Sequence, residues 1–294
     1  MGRVAPPPLV PRARHQRATV RGAGASPAEF GARLERVRTL PLTPANSGPL
    51  KLLGAVLEHC AKRACDPGVA EVSGLAALDA PPLRLGEVTS FLQVEVPLAL
   101  DSLVELAPLP LADAGRTLGH MDGAERSAVV GRWLRDPLTV EERSGFWLRV
   151  AAAPVLELAA ASVATSAKGA RRCPLCAAPP QVAVVAEESG EFLAGSPRSL
   201  VCSRCAYSWN FGRAICPWCG EDNSTLIHSY TPEDQKLARI DACDTCSGYI
   251  KTFDMRAPGA LEVVPLVDDV ATLALDVWAH DQGFRRASVS LAGV

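Results

Sequence analysis

The chain lacks the charge excess and the long apolar runs of nucleic-acid-binding and membrane proteins. Its 30 Lys and Arg residues are matched by 32 Asp and Glu residues, so its net charge of -2 does not favour phosphate or an anionic lipid surface. No 18 apolar residues run uninterrupted, so the sequence predicts no membrane insertion. Residues 1–28 hold five arginines and no acidic side chain, but they lack the apolar segment of a secretory signal. We therefore expect a cytoplasmic protein with a disordered, Pro- and Arg-rich tail over 1–28; an organelle transit peptide has a similar composition.

Signatures of a catalytic site are also scarce. The chain has only five histidines, and none has a partner at the spacing of a metal site. A glycine-rich phosphate loop, a Gly-x-Ser-x-Gly turn and a pair of histidines on one helix are all missing from the sequence. His228 falls in a strand-like run, where an ordinary sheet histidine is a better interpretation than an auxiliary metal ligand. The sequence thus predicts that the chain is not an enzyme.

Cysteine, in contrast, is abundant. Eight of the ten cysteines form four Cys-x-x-Cys pairs, in the pattern C-x2-C-x25-C-x2-C followed ten residues later by C-x2-C-x23-C-x2-C. A two-residue gap lets both thiolates of a tight turn face one ion, and in a reducing compartment such pairs bind metal far more often than they form disulfides. The other two, Cys60 and Cys65, lie on a predicted helix and are expected to be free thiols. The predicted metal ligands are Cys173, Cys176, Cys202, Cys205, Cys216, Cys219, Cys243 and Cys246.

These eight thiolates predict two metal ions per chain, each in a four-cysteine site. We expect the pairs to combine in sequence order, but a ten-residue gap would also let Cys202 and Cys205 share an ion with Cys216 and Cys219. Four thiolates leave no open coordination position, so the metal is expected to be structural. Zinc and a single iron both suit such a site. Redox cycling of the pairs as dithiols is the alternative.

Apolar periodicity predicts a helical region over residues 29–167. Leucine and valine at positions 50, 53, 56 and 57 recur at helical spacing behind Asn46 and Ser47, either of which could cap a helix. Further along, Thr139 and Glu142 fit a capping box, and Pro154 falls inside the helix that follows.

Short β-type runs follow at 181–186, 199–202, 208–213, 225–230, 239–242, 248–253 and 261–264, and a final amphipathic helix is expected behind the candidate caps Asp268 and Asp269. The predicted fold is α+β: an N-terminal all-helical domain, two small rubredoxin-like or zinc-ribbon β modules and a C-terminal helix. Because four-thiolate modules have little core of their own, we expect the β region to depend on metal and the helical region to fold without it. The predicted boundaries are 1–28 for the tail, 29–167 for the helical domain, 168–212 and 213–266 for the modules, and 267–294 for the last helix.

Three strings in the cysteine region are more specific than a generic zinc ribbon. They are Cys202-Ser-Arg-Cys205-Ala-Tyr-Ser-Trp209, Ala214-Ile-Cys216-Pro-Trp-Cys219-Gly220 and Asp241-Ala-Cys243-Asp-Thr-Cys246-Ser-Gly-Tyr249-Ile-Lys251, and Val267-Asp-Asp-Val270 opens the last helix. Together they resemble the formate dehydrogenase accessory protein family, FdhE, over about residues 171–287. The family usually has glycine directly after the second cysteine of a pair. Gly220 keeps it, whereas Ala177 and Ser247 replace it, at a strain of about 1 kcal/mol each in a left-handed turn.

The resemblance implies a bacterial cytoplasmic assembly factor. Members of the family bind the catalytic, molybdenum-containing subunit of respiratory formate dehydrogenases before export, and the resemblance implies that the eight cysteines hold iron or zinc. The sequence leaves open whether the chain forms a homodimer. Aromatic residues beside the cysteine pairs are either anchors for a partner or, as we prefer, the small cores of the ribbons. They are Tyr207, Trp209, Trp218 and Tyr249.

Two other functions compete with this interpretation. A zinc-ribbon protein that binds nucleic acid needs a basic stripe, but within 171–260 nine Lys and Arg are matched by ten Asp and Glu. A thiol-switched, metal-binding chaperone would instead release its metal on oxidation and expose apolar surface.

Overall fold

The described residues of the helical region form seven α-helices. The structure is a computed structural model that describes residues 27–165, 168–186, 198–233, 236–257, 260, 263–286 and 288–293. The predicted tail lies outside the described residues up to position 26. The helices are α1 (Pro27–Thr39), α2 (Ser47–Ala64), α3 (Pro67–Ala77), α4 (Gly86–Leu103), α5 (Leu109–His120), α6 (Gly123–Arg135) and α7 (Glu142–Ala161).

Helix α7 is the centre of this region. It contacts α2, α3, α4, α5 and α6, and 14 of its 20 residues are buried. The indole Nε1 of Trp147 donates to the carbonyl of Leu111 at 2.8 Å, which ties α7 to the start of α5. By length and composition, α7 is the one described helix that could cross a membrane, but 78% of its apolar window is buried inside the protein. Its apolar surface therefore matches its central position in the core.

A capping box forms at the start of α6, where none was predicted, and not at the start of α7, where one was. Asp122 accepts from the backbone N–H of Glu125 at 2.8 Å, and Glu125 accepts from the N–H of Asp122 at 3.1 Å, which makes a capping box at α6. The capping box predicted at Thr139 and Glu142 is wrong. Thr139 ends a 3-10 turn, and the side chain of Glu141 caps α7 instead.

Within the part of the chain that the structure describes, seven strands form one sheet. They are β1 (Pro180–Val185), β2 (Arg198–Cys202), β3 (Ser208–Phe211), β4 (Ile227–Tyr230), β5 (Ala238–Cys243), β6 (Gly248–Asp254) and β7 (Arg285–Arg286). The order is β3-β2-β1-β6-β5-β4, with β7 beside β6. The first six match predicted runs. Of the seventh predicted run, positions 261 and 262 lie outside the described residues, and positions 263 and 264 form no strand.

The sheet contains the same arrangement twice. In each half a cysteine pair precedes the first strand, and a second pair forms the turn between the second and third strands. Within each half the neighbouring strands are antiparallel, and the halves meet where β1 runs parallel to β6, with Val182 opposite Lys251. The two predicted modules are thereby joined edge to edge in one sheet.

The end of the chain folds back on the sheet as two helices, α8 (Pro265–Ala271) and α9 (Leu273–Asp281), which are separated at Thr272. The prediction that Asp268 and Asp269 cap one amphipathic helix is wrong at these positions, because both lie inside α8 and are buried. Asp268 bonds the N–H of Val264 at 2.7 Å and pairs with Arg36 of α1 at 2.6 Å, so α8 is attached to the helical region.

The main hydrophobic core crosses the boundary between the helical region and the first half of the sheet. Leu53 of α2 and Leu156 of α7 belong to the same buried cluster as Val182 of β1, Leu200 of β2 and Trp209 of β3. The second half has a small cluster of its own beside α9. The expectation that the helical region folds independently of both metal modules therefore does not fit the packing of the first module.

Candidate metal centres

The structure brings the eight predicted ligands together as two four-cysteine clusters. In the first cluster, Cys173 Sγ lies 3.7 Å from Cys205 Sγ, and Cys176 Sγ lies 3.4 Å from Cys202 Sγ and 3.6 Å from Cys205 Sγ. Sulfurs on the corners of a tetrahedron with metal–sulfur bonds of about 2.3 Å are about 3.8 Å apart, whereas a disulfide bond is about 2.05 Å long. The donor set therefore fits one ion and no disulfide.

The second cluster has the same geometry. The sulfurs of Cys216 and Cys246 are 3.8 Å apart, as are those of Cys219 and Cys243. All four sulfurs of each cluster lie within 4.8 Å of one another. The pairs combine in sequence order, so the alternative in which the second and third pairs share an ion is wrong.

All four cysteine pairs have the same left-handed turn. The residue directly after the second cysteine has φ 58° at Ala177, 55° at Ala206, 86° at Gly220 and 54° at Ser247. Only glycine takes this conformation without strain, so the other three residues each cost about 1 kcal/mol. The sequence analysis identified Ala177 and Ser247 but missed Ala206. A strained turn retained at three places indicates that ligand direction, rather than backbone preference, sets the conformation.

Backbone hydrogen bonds close the turns around the sulfurs. Cys173 donates its N–H to the carbonyl of Ala178 at 2.9 Å, and Cys216 donates to that of Glu221 at 2.8 Å. At the second pair the N–H of Arg204 lies 3.3 Å from Cys202 Sγ. N–H groups that face the sulfurs stabilise thiolate charge, as a metal site of this kind requires.

The first cluster is buried where α6 meets the sheet. Its four cysteines are at most 3% exposed. Arg204, in the turn between two ligands, donates to the carbonyls of Trp133 at 3.0 Å, Leu134 at 2.8 Å and Cys176 at 2.7 Å. Burial raises the pKa of Cys202 well above that of an ordinary thiol, so four thiolates are compatible with this site only around a cation.

The second cluster is open to solvent on one side. Cys219 and Cys246 are exposed, whereas Cys216 and Cys243 are buried. The ring of Trp218 packs against Gly248, the second residue after Cys246. A Cβ added at Gly248 would lie 3.1 Å from this ring, which explains why position 248 is glycine. The two metal centres thus share a geometry but differ in their access to water.

This difference predicts unequal reactivity. In metal-loaded protein, Cys219 and Cys246 should be alkylated by iodoacetamide about tenfold or more faster than any cysteine of the first cluster, because the buried thiolates require local opening. The free cysteines are internal standards: exposed Cys65 should react early and buried Cys60 late. Time-resolved peptide mass spectrometry would measure the order. Equal rates at both clusters would contradict the structure.

The other sequence-selected residues are not ligands in this structure. Cys60 is buried with its sulfur 3.8 Å from the carbonyl of Val150, and burial raises the pKa of its thiol. His228 lies in β4 with Nε2 2.9 Å from Asp244 Oδ2, as expected for a sheet histidine. Trp209 and Tyr249 are 3% and 4% exposed, so both belong to the core of the β region rather than to a free surface.

A buried ion network that no sequence pattern predicted lies between the sheet and the helices α8 and α9. Asp269 is fully buried, 2.8 Å from Lys251 Nζ, 2.6 Å from Arg286 Nη2 and 2.7 Å from Gln181 Nε2. Lys251 also contacts Asp276 at 2.6 Å. Burial alone would raise the pKa of Asp269, but Arg286 and Lys251 outweigh it and lower that pKa to about 2. The sequence signal that could have indicated this network is the pair Asp268 and Asp269 within an otherwise apolar segment of α8.

Comparison with known proteins agrees with this geometry. Residues 216–292 match the family model described as the C-terminal domain of FdhE. A "Protein FdhE homolog" from Shewanella oneidensis is 35% identical over 118 residues, which are 40% of this chain and 37% of the relative. Another from Rhizobium meliloti is 30% identical over 188 residues, or 61% of this chain and 59% of the relative. The chain thus covers less than two thirds of each of these relatives.

The overall fold also has a solved counterpart. The crystal structure of the FdhE protein from Pseudomonas aeruginosa superposes with a TM-score of 0.62 at 20% sequence identity and covers 92% of this chain and 97% of that one. At this identity the match shows a shared fold. The resemblance to the FdhE family that the cysteine strings indicate is therefore confirmed by sequence over the C-terminal region, and over nearly the whole chain the fold is shared with the Pseudomonas aeruginosa protein.

Proposed function

We propose that the protein is a cytoplasmic maturation factor that binds the catalytic subunit of a respiratory formate dehydrogenase before export and is required for its activity. The observation that supports this proposal best is the pair of four-cysteine clusters within an FdhE fold. The eight cysteines would hold two ions of zinc or iron. The protein would act by binding its client and would not itself oxidise formate.

The chemistry of the clusters supports a binding role. An ion held by four thiolates has no vacant position for substrate, so its contribution is to hold the surrounding turns in place. Each bound ion would stabilise its module by about 10 to 16 kcal/mol, which is enough to order a β module with a small core. A rigid surface presented in this way is suited to binding another folded protein.

Complementation of a deletion strain tests the proposal. The double variant Cys216→Ser/Cys219→Ser removes two ligands of the second cluster while leaving the first cluster and the main core in place. Formate oxidation by membranes should fall to the level of the deletion strain, because the second module loses its metal and with it the ordered surface that we propose the client binds. Capture of the catalytic subunit by the tagged protein should be lost in parallel.

Cys65→Ser is the matched control, since this exposed cysteine belongs to neither cluster. It should restore full formate oxidation and retain the client. Full activity with the double variant, at wild-type protein levels, would refute a role for the second metal centre in maturation. Formate oxidation by the purified protein alone would refute the proposal that it is not an enzyme.

A thiol-switched chaperone is a second candidate, favoured by the solvent-exposed Cys219 and Cys246. It predicts that peroxide releases the second metal ion and that client binding appears only after oxidation. The maturation factor predicts the opposite, because oxidation would destroy the metal centre that supports binding. Client capture before and after peroxide separates the two functions.

A further inference from the structure

A cavity of about 100 Å³ lies between α6, α7 and the turn of the first cluster. Such a volume could hold several water molecules or one small organic acid. Its mouth is marked by the exposed residues Leu138 and Glu142. The lining residues that matter here are Trp133, Gly145, Phe146, Arg149, Arg204 and Ser288.

Arg149 brings a positive charge to this cavity, and although the carboxylates of Glu157 and Asp269 attract it from a distance, neither forms an ion pair with it among the described residues. Its side chain is 7% exposed, and its Nη1 donates to the carbonyl of Val289 at 3.3 Å. Among the residues that the structure describes, Arg149 forms no ion pair and has no other hydrogen bond. The buried acids of the region are engaged elsewhere: Glu157 pairs with Arg33 at 2.7 Å, and Asp269 pairs with Arg286 at 2.6 Å.

Two more groups on the lining have unused hydrogen-bonding capacity. Arg204 is 2% exposed; its two Nη atoms bond main-chain carbonyls, whereas its buried Nε has no partner among the described residues. The buried Oγ of Ser288 also lacks a partner among them. Unsatisfied buried donors are costly and usually indicate an unseen water, ion or ligand.

The counter-charge could also come from the neighbouring metal centre. Four thiolates around a divalent ion carry a net charge of about -2, and Arg204 lies in the same turn as two of the ligands. Cys202 also attracts Arg149 from a distance, but within the described part of the chain the guanidinium of Arg149 bonds no sulfur and donates only to the carbonyl of Val289. Burial lowers the pKa of Arg149 to about 10, so its guanidinium stays charged at neutral pH. Its charge is therefore available to a ligand in the cavity.

We propose that this cavity binds a small carboxylate, held by the guanidinium of Arg149. A planar carboxylate matches the fork of an arginine in two parallel hydrogen bonds, and one guanidinium balances one negative charge. The apolar walls formed by Trp133 and Phe146 suit the carbon end of such a molecule. Phosphate is disfavoured because its second charge would lack a partner and would face the exposed acid Glu142 at the mouth.

Acetate titrated into the metal-loaded chain tests the proposal. Ligand-observed NMR or calorimetry should show saturable binding with a dissociation constant of about 1 mM or below, within the limit for a ligand of four heavy atoms. Equimolar phosphate should bind at least about tenfold more weakly. Arg149→Met should weaken acetate binding by about tenfold or more, and Arg149→Lys by less, because lysine keeps the charge and loses the fork.

Two variants separate a bound ligand from changes in folding or general charge. Arg143→Met removes an exposed arginine of the same helix and should leave acetate binding within about twofold of wild type. Gly145→Leu should block binding with both arginines intact. A Cβ at position 145 would lie 3.6 Å from Trp133, which is an ordinary contact distance. Leucine also has a higher helix propensity than glycine, so this variant should stay folded.

The source of the carboxylate is distinguished by a second ligand, a capped peptide with a single glutamate. Binding of acetate alone indicates a free acid, and binding of both indicates that a protein side chain also fits. No saturable acetate binding by wild type, or equal binding by wild type, Arg149→Met and Gly145→Leu, would overturn the proposal. Metal content measured on each sample must be two ions per chain for the comparison to count.

Discussion

Replacing Cys202 and Cys205 with serine is expected to unfold most of the chain, including the helical region. The first cluster lies in the same buried core as α2 and α7, and Arg204 between the two ligands bonds the last turn of α6. A structural metal contributes about 10 to 16 kcal/mol in apparent terms, whereas a domain of this kind has a net stability of about 5 to 15 kcal/mol. Loss of this ion therefore removes a free energy comparable to, or larger than, the whole net stability of the fold.

The matched variant Cys219→Ser/Cys246→Ser should have a local effect. Both cysteines are exposed, and Ile240, Ala242 and Tyr249 of this half form a small core separate from the main one, although Ile250 and Phe253 of β6 belong to the main core. In this variant the backbone amides of β4 to β6 should lose protection from hydrogen exchange, and those of α2, α4 and α7 should keep it. In Cys202→Ser/Cys205→Ser, protection should be lost in all of these elements. Circular dichroism on heating gives the same contrast. If both variants lose protection only in the sheet, the helical region is independent of the metal after all.

The cysteine clusters could be predicted because their determinants are local. Two ligands three positions apart direct both sulfurs to one side of a turn, and the strands between the pairs are marked by β-branched runs and turn residues. Six predicted runs became β1 to β6 with small shifts at their ends. The left-handed residue after each pair follows from the same geometry, and the φ of 58° at Ala177 confirms the left-handed conformation expected where glycine is replaced.

The joining of the two modules could not be predicted from local patterns. The parallel pairing of β1 with β6 connects segments about seventy residues apart, and nothing in either strand specifies its neighbour. The core shared by the helices and the first module is also a product of long-range packing. Periodicity shows which face of a helix is buried, but it does not show which partner covers that face.

The division of the last helix has a specific cause in the ion network. Lys251 Nζ donates to the main-chain carbonyl of Asp269 at 2.5 Å and lies 3.5 Å from the carbonyl oxygen of Thr272. The carbonyl of Asp269 would otherwise accept the N–H of Leu273 in one continuous helix, whereas the carbonyl of Thr272 still accepts the N–H of Leu275 at 3.0 Å. The hydroxyl of Thr272 also bonds the carbonyl of Asp268 at 2.8 Å. A lysine in a strand thus ends α8, which no pattern within the helix could indicate.

Substituting Asp269 with asparagine should destabilise the metal-loaded protein by about 3 to 5 kcal/mol. The change keeps the shape of the side chain but leaves the charges of Lys251 and Arg286 without their central partner, in a site from which water is excluded. Urea unfolding at pH 7, followed by tryptophan fluorescence, would measure the loss. Glu105→Gln breaks the exposed pair with Arg116 and should scarcely move the midpoint. An equal loss of unfolding free energy in Asp269→Asn and Glu105→Gln would mean that the buried network stabilises the fold no more than an exposed ion pair does.

The difference in unfolding free energy between wild type and Asp269→Asn should depend on pH, and the sign of this dependence follows from the pKa of Asp269. The pKa of Asp269 is lowered to about 2 in the folded protein, against about 3.9 in an unfolded chain. The stabilisation is therefore complete above about pH 4 and is lost as the pH falls towards 2. Thiolates also protonate in acid and release metal, but this occurs in both proteins. The difference in unfolding free energy between wild type and Asp269→Asn should thus shrink below about pH 4, and a difference that stays constant would show that Asp269 is not charged in the folded state.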